Sequence, residues 1–157
     1  MKRLLKSVML LTLIIGLFAG CNTSKEDKFI SEEINPNINV FGIKLLMEEK
    51  EVIYILGGEG EYSPCVYGYE RTYDDKHLSI GFDKDSKVRK IIVKSSNEDV
   101  YGIKKGMDED EALNILKENS FTKEEDTSRS VKDKIFIKIL GDDNNKVKGS
   151  IIEIIPE

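Results

Sequence analysis

The chain has 157 residues, a formal net charge of −5, two cysteines, one histidine and no tryptophan. An acidic balance does not favour a nucleic acid as partner, because such recognition normally begins with a basic patch. Two cysteines and one histidine also give little support to a disulfide framework or a zinc cluster. A chain of this size must instead fold around an ordinary apolar core.

The first segment has the pattern of a secretory signal peptide. Three basic residues lie within the first six positions, and an apolar run follows over residues 8–18. This order of a basic region and a short apolar region is typical of secretory signals. The run is shorter than the roughly 20 apolar residues that a membrane-spanning helix needs. We therefore predict that residues 1–20 are removed, which would change the net charge of the remaining chain from −5 to −8.

Residues 17–21, "LFAGC", resemble the lipobox of bacterial lipoproteins, in which small residues precede a cysteine. The resemblance implies that Cys21 becomes the first residue of the mature chain and carries a diacylglycerol thioether, usually with an acylated amine. Several acyl chains give durable membrane anchoring. The alternative is an ordinary secreted protein that is cut near Ala19. The bias toward Lys, Ile, Asn and Glu is typical of a Gram-positive genome of low GC content. The predicted localisation is thus the extracytoplasmic face of the cell membrane.

Residues 21–39 are polar and charged, with few apolar positions. This composition predicts a flexible, lipid-anchored tether. In the alternative interpretation, its short apolar pieces dock on the folded part as an edge strand.

A repeated phrase dominates the rest of the chain. Residues 42–57 and 102–117 are identical at eight of sixteen aligned positions. Repeats of this kind predict a duplicated structural unit. We therefore divide the chain into a first unit over residues 40–98 and a second over residues 99–157.

Within each unit the spacing of apolar residues changes from that of a helix to the alternation of a strand. Each repeated phrase carries one apolar helical face. The residues after it alternate as strands do, with polar turns between them. The predicted strands are 65–73, 78–82 and 88–94 in the first unit, and 128–132, 134–140 and 147–155 in the second. The predicted fold is α+β, with two tandem helix-plus-three-strand antiparallel meander units that form one sheet with the helices on one face.

The phrase "GIKKGMDEDEALNIL", residues 102–116, is similar to the opening of BamE-like (SmpA/OmlA) modules. The tandem arrangement resembles the fold of β-lactamase-inhibitor protein. The resemblance covers roughly residues 40–156. It implies a protein-binding role, either inhibition of an enzyme or scaffolding of an envelope assembly. It assigns no functional residue in this chain.

The segment "CVYGYERTY", residues 65–73, is the strongest candidate for a binding surface. Strand alternation places Cys65, Tyr67, Tyr69, Arg71 and Tyr73 on one face. Tyrosine and arginine supply many interface hot spots, so Tyr67, Tyr69, Arg71 and Tyr73 are predicted to bind a partner. In the alternative, Tyr67 and Tyr69 point inward, and Arg71 and Tyr73 are the more exposed residues.

Other chemistry-bearing residues give weaker signals. His77 is predicted to point outward at a strand start, and Cys65 to be a half-buried strand cysteine. The acidic pairs at 74–75, 83–85 and 142–143 lack the glycine and the closing glutamate of a calcium loop, and turns are rich in aspartate in any case. No metal, cofactor or catalytic residue is predicted.

Taken together, these patterns predict a non-catalytic, surface-tethered lipoprotein that binds a protein or another envelope macromolecule through its sheet face. The alternatives are an inhibitor of a secreted or cell-wall enzyme and an accessory subunit of an envelope complex. An enzyme would need a site assembled across the two units.

Overall fold

The computed structural model describes residues 24–125 and 127–156. It confirms the α+β class, with a large antiparallel sheet and three α-helices in the described chain. The helices are α1 Lys25–Phe29, α2 Glu49–Leu56 and α3 Glu109–Glu118. The strands are β1 Ile38–Asn39, β2 Glu61–Cys65, β3 Gly68–Tyr73, β4 Leu78–Phe82, β5 Val88–Val93, β6 Asp99–Val100, β7 Thr122–Lys123, β8 Arg129–Lys132, β9 Ile135–Gly141 and β10 Val147–Ile154. Within the described ranges, none of the helices is long and apolar enough to cross a membrane.

Eight of the strands form one sheet in the order β2-β3-β4-β5-β10-β9-β8-β7. The two central strands, β5 and β10, pair antiparallel, with Ile91 opposite Ile152. The remaining strands, β1 and β6, pair with each other in a separate two-stranded ladder. Four strands of the large sheet follow each of α2 and α3, where the sequence predicted three.

The extra strand in the first half arises because residues 65–73 are not one strand. Strand β2 ends at Cys65, residues 66 and 67 form a turn, and β3 begins at Gly68. A Cβ atom at Gly68 would overlap the carbonyl oxygen of Phe82 on the neighbouring chain segment. Only glycine therefore fits at this hairpin, and the turn interrupts the alternation that the sequence suggested.

The repeated phrase makes the same backbone contacts in both halves. Leu46 N donates to Val88 O at 2.7 Å, and Val88 N donates back to Met47 O at 2.9 Å. Gly106 N donates to Val147 O at the same 2.7 Å. Leu46 and Gly106 both have positive φ, 69° and 92°, in the region that favours glycine. Each phrase thus ties the start of a helix to the final strand of its own half.

The helix ends have identifiable causes. Before α2, the side chains of Glu48 and Glu51 form a capping box, which satisfies backbone donors that would otherwise lack partners. The helix ends at Gly57, whose φ of 77° stops it in the left-handed region. Before α3, the carboxylate of Asp108 accepts a 2.8 Å bond from Lys146 Nζ instead of capping the helix. This bond links the start of α3 to the β9–β10 turn.

One face of the sheet carries the core. A row of four isoleucines, fully buried, crosses the central strands in register: Ile80, Ile91, Ile152 and Ile137. From α2 and α3, the buried side chains include Val52, Leu56, Ala112 and Leu116. Burial of each valine, leucine or isoleucine side chain contributes about 1.5–3 kcal/mol relative to leaving it exposed.

The structure contradicts a flexible tether over residues 25–39. After α1, the chain continues as a π-helical turn and a 3₁₀ turn before entering β1. Ile30, Ile34 and Ile38 are at most 1% exposed. The Asn35 side chain makes two hydrogen bonds to the backbone of Leu45, with Nδ2 donating and Oδ1 accepting. The alternative interpretation was right that these apolar residues dock on the folded part, but wrong that they do so as an edge strand, because the segment is mostly helical and only Ile38–Asn39 pairs, with β6 outside the large sheet. Cys21 and the predicted signal peptide lie outside the described residues.

Replacing Ile34 by alanine tests this docking. We expect Ile34→Ala to lower the free energy of unfolding by about 2–5 kcal/mol, because it leaves a cavity in a closed core. Ile55→Ala, on the partly exposed side of α2, is the control and should cost less than about 1 kcal/mol. Urea denaturation of the full chain measures both. An unchanged midpoint for Ile34→Ala would restore the tether interpretation.

Candidate partner-binding surfaces

The two faces of the large sheet differ in burial. Residues directly opposite each other in the register share a face. On the face without the core, the side chains are mostly only partly buried. We call this the open face, and a row of six residues crosses it in register: Thr72, Ser79, Ile92, Ile151, Lys138 and Arg129. A parallel row contains Glu70, Gly81, Lys90, Glu153, Phe136 and Val131.

Three of the four predicted binding residues lie on the other face, toward the helices. Tyr69, Arg71 and Tyr73 of β3 are opposite the three apolar core residues of β4. Tyr73 is 5% exposed, and burial raises the pKa of its hydroxyl. The expectation that Arg71 and Tyr73 are the more exposed residues is therefore wrong. Alternation had placed the three together correctly, but it could not say which side the helices cover.

Arg71 fastens α2 to the sheet. Its Nε lies 2.5 Å from Glu49 Oε1 of the helix, and its Nη1 donates to Glu59 O at 3.1 Å. The guanidinium carbon lies 5.9 Å and 6.0 Å from the ring centres of Tyr62 and Tyr69, distances at which cation–π attraction contributes. With this many internal partners, Arg71 has a structural role, and Tyr62 is the more exposed of the two tyrosines in the group.

Tyr67 lies in the turn between β2 and β3 and is half exposed. Its ring faces Arg89, whose guanidinium carbon is 5.2 Å from the ring centre. Arg89 Nη1 lies 2.6 Å from Glu153 Oε1, although the angle between the groups is not that of a hydrogen bond. Both side chains are largely buried. One clue to this pair was present in the sequence, an arginine in the otherwise largely apolar strand "VRKIIV".

A cavity of about 380 Å³ adjoins Arg89 at this end of the sheet. Apolar lining comes from Leu46, Ile154 and neighbouring residues, and the acids at its mouth include Asp83 and Asp85. The acids outnumber the basic groups around it, so the cavity does not favour an anionic ligand despite the arginine.

A second concavity, of about 420 Å³, lies at the opposite end of the same strands. Three lysines line it, Lys94, Lys138 and Lys148, together with Ser128 and Leu140. Within residues 24–125 and 127–156, none of the three lysines makes an ion pair. Sequence reasoning missed this cluster, because each lysine comes from a different strand.

The acidic pairs of the sequence form turns. Asp142 Oδ1 accepts hydrogen bonds from the backbone nitrogens of Asn144 and Lys146, at 2.8 and 3.0 Å. These bonds hold the pKa of Asp142 below its ordinary value, and Asp83 makes the same two bonds in its own turn. In the described parts of the chain, His, Cys, Asp and Glu side chains form no group of three that could hold a metal ion.

The remaining singled-out residues lie on the surface. His77 is exposed and has a left-handed backbone, and its carbonyl oxygen accepts a 2.9 Å bond from Lys94 N. Cys65 is an exposed free thiol at the end of β2 and not half-buried as expected. Neither residue lies in a group that suggests nucleophilic chemistry.

Comparison with known proteins shows the fold only. No family model and no curated protein matches the chain. Among solved structures, the chain is similar to an extracellular protein containing a SCP domain from Bacillus anthracis str. Ames, with a TM-score of 0.53 and 11% sequence identity. The match covers 87% of this chain and 49% of that one, so this chain spans about half of that protein's length.

The buried Arg89–Glu153 pair gives a testable consequence. We expect Arg89→Met to lower the free energy of unfolding by about 3 kcal/mol at neutral pH, because it leaves Glu153 buried without its counter-charge. The double variant Arg89→Met/Glu153→Met should recover most of that loss, since a buried ion pair and an apolar pair of similar volume are often close in stability. Chemical denaturation of the wild type, both single variants and the double variant gives the four free energies of unfolding that a double-mutant cycle needs. Purely additive losses would show that the two charges do not interact.

Proposed function

We propose that the chain is a non-catalytic lipoprotein, anchored through Cys21 on the extracytoplasmic face of the cell membrane. In this proposal it binds a protein or another envelope macromolecule through the open face of its sheet. The observation that carries the proposal is the set of partly exposed apolar side chains on this face, in particular Ile92, Ile151, Leu140 and Phe136. A large sheet holds these side chains in fixed positions.

The dimensions of the open face suit a macromolecular partner. Eight strands about 4.8 Å apart span about 34 Å, and five or six residues per strand give a height of about 18 Å. The resulting area of about 600 Å² approaches the roughly 800 Å² that each partner contributes to a standard interface. The mixture of apolar side chains with charged neighbours is also typical of interfaces that form and dissociate.

Support for the location comes mainly from the sequence. The basic region, apolar run and "LFAGC" motif occur in the order expected of a lipoprotein precursor. The solved structure with a similar fold is described as an extracellular protein, which agrees with an extracytoplasmic site.

We also propose that the two halves are tandem copies of one unit, related to BamE-like modules and arranged as in β-lactamase-inhibitor protein. Equivalent backbone bonds at Leu46 and Gly106, sixty positions apart, support this. So do matched bridges between Glu48 and Lys87 and between Asp108 and Lys146. Each unit would then be a helix followed by four strands.

Inhibition of a secreted or cell-wall enzyme is the second candidate function. One observation favours it. The β2–β3 turn projects an apolar side chain, Val66, that is 85% exposed. A protruding turn of this kind can enter an enzyme cleft, which a flat sheet face cannot.

Replacing the predicted lipidation site tests the anchor. Cys21→Ser should move the protein from the membrane fraction to the soluble extracytoplasmic fraction, because serine offers no thiol for the thioether bond. Immunoblots of fractionated cells measure this. Persistent membrane association of the variant would contradict anchoring through Cys21.

A charge-neutral substitution tests the binding face. In Ile92→Glu/Ile151→Lys, opposite charges face each other across β5 and β10, so the sheet should still pair. The two central apolar side chains are nevertheless lost. We therefore expect at least about tenfold less cross-linked partner to be recovered from intact cells. The matched control, Tyr54→Glu/Ile55→Lys on exposed positions of α2, should retain wild-type recovery. Equal loss in both variants, or in neither, would rule out the open face as the binding surface.

A further inference from the structure

We infer that the open face recognises an acidic, partly apolar segment of a protein partner, whose carboxylates bind Lys94, Lys138 and Lys148. This inference rests on the proposed use of the open face and specifies the chemistry of its partner. The three lysines have no assigned role in the fold, since the described part of the chain gives them no ion pair.

The strand register brings these lysines to one place. Lys138 of β9 lies opposite Ile151 of β10. Lys94 directly follows the last residue of β5, and Lys148 lies at the irregularity of β10, just before Gly149. The β9–β10 hairpin and the end of β5, which is more than forty residues earlier, thus supply three ammonium groups around one concavity of about 420 Å³.

Glycine at position 149 forms part of this arrangement. Gly149 lies opposite Leu140 on the open face. A Cβ atom at Gly149 would overlap the carbonyl oxygen of Val93 and crowd the side chain of Lys94. The absence of a side chain at Gly149 therefore lets Lys94 pack closely against β10, next to Lys148.

The charge distribution favours an anionic partner at this end. Other basic residues on the open face have acidic partners. Lys90 Nζ lies 2.5 Å from Glu70, and Arg129 Nε lies 3.5 Å from Glu124. In the described chain no carboxylate forms an ion pair with a lysine of this cluster, and the charge of Lys148 contributes only to lowering the pKa of Asp142. Repulsion among uncompensated lysines is relieved when an anion binds, and a local field of this kind steers oppositely charged partners.

Two further observations favour a protein segment over a phosphate group or a lipid headgroup. The apolar pair Ile92 and Ile151 adjoins Lys138 in the same row, so the complementary surface must be both apolar and acidic. The cluster also lies at the start of β10, whereas Glu26 of α1 lines the cavity at the other end of this strand, near Ile154. Seven residue steps along a strand separate the two ends by about 23 Å. Under the proposed anchoring through Cys21, the described chain therefore begins near the end of the sheet that lies away from the lysines.

The test uses the full chain, purified in a non-ionic detergent, and a fluorescein-labelled hexaglutamate peptide followed by anisotropy. The variant Lys94→Gln/Lys138→Gln/Lys148→Gln should bind at least about tenfold more weakly than the wild type, because three ion pairs are lost. The control Lys84→Gln/Lys105→Gln/Lys117→Gln removes the same charge elsewhere and should change the affinity by less than about twofold. Raising the salt concentration should weaken wild-type binding.

Three outcomes would overturn the inference. They are equal weakening in the two triple variants, no detectable hexaglutamate binding by the wild type, and displacement of the labelled peptide by inorganic triphosphate at lower concentration than by unlabelled hexaglutamate. The last would indicate phosphate chemistry. If partner cross-linking still depends on Ile92 and Ile151 after any of these results, the open face remains the binding surface and only the acidic partner is ruled out.

Discussion

The structure depends on covering one face of an eight-stranded sheet. Such a sheet is about 34 Å wide, and a helix with its side chains covers about 10 Å of that width. Two helices, α2 and α3, are therefore too narrow to cover the whole core face, including the central row of isoleucines with Ile80 and Ile137. The segment over residues 25–39 supplies the missing cover through Ile30, Ile34 and Ile38. The polar composition of residues 25–39 predicted a tether, but this segment covers part of the core that would otherwise be exposed to water.

Covering one face leaves the other to be stabilised in water. The open face meets this requirement with ion pairs laid across the strands, such as Lys90 with Glu70. The stem of Lys90 passes directly over Gly81, where a larger residue would collide with it. Apolar positions remain between these charged groups instead of forming one broad patch. A surface of this kind remains soluble when free and still offers area to a partner, as the proposed function requires.

Much of the fold could be predicted from the sequence, because local patterns determine local structure. The repeated phrase gave both main helices, and alternation gave most strands.

Alternation could not assign Tyr69 and Arg71 to a face, since the face depends on where distant helices pack. The break at Tyr67 was missed because a two-residue turn there has only Gly68 as its signal. Ile30, Ile34 and Ile38 are spaced four residues apart, as on one face of a helix, but the polar composition around them led to the prediction of a tether. The pairing of Arg89 with Glu153, and of Lys94 with the lysines of the β9–β10 hairpin, depends on the register between β5 and β10, which no local pattern contains.

The position of β10 has a consequence for how the molecule reaches its final form. This strand is the last of the described strands in the chain, yet it occupies the middle of the sheet between β5 and β9. Until it is in place, β5 presents an unpaired edge, and unpaired edges can join other chains. Strands β2 to β5 therefore keep an open edge on β5, however early they are synthesised. A nascent chain would have to be kept from premature association until Val147–Ile154 arrives and closes the gap.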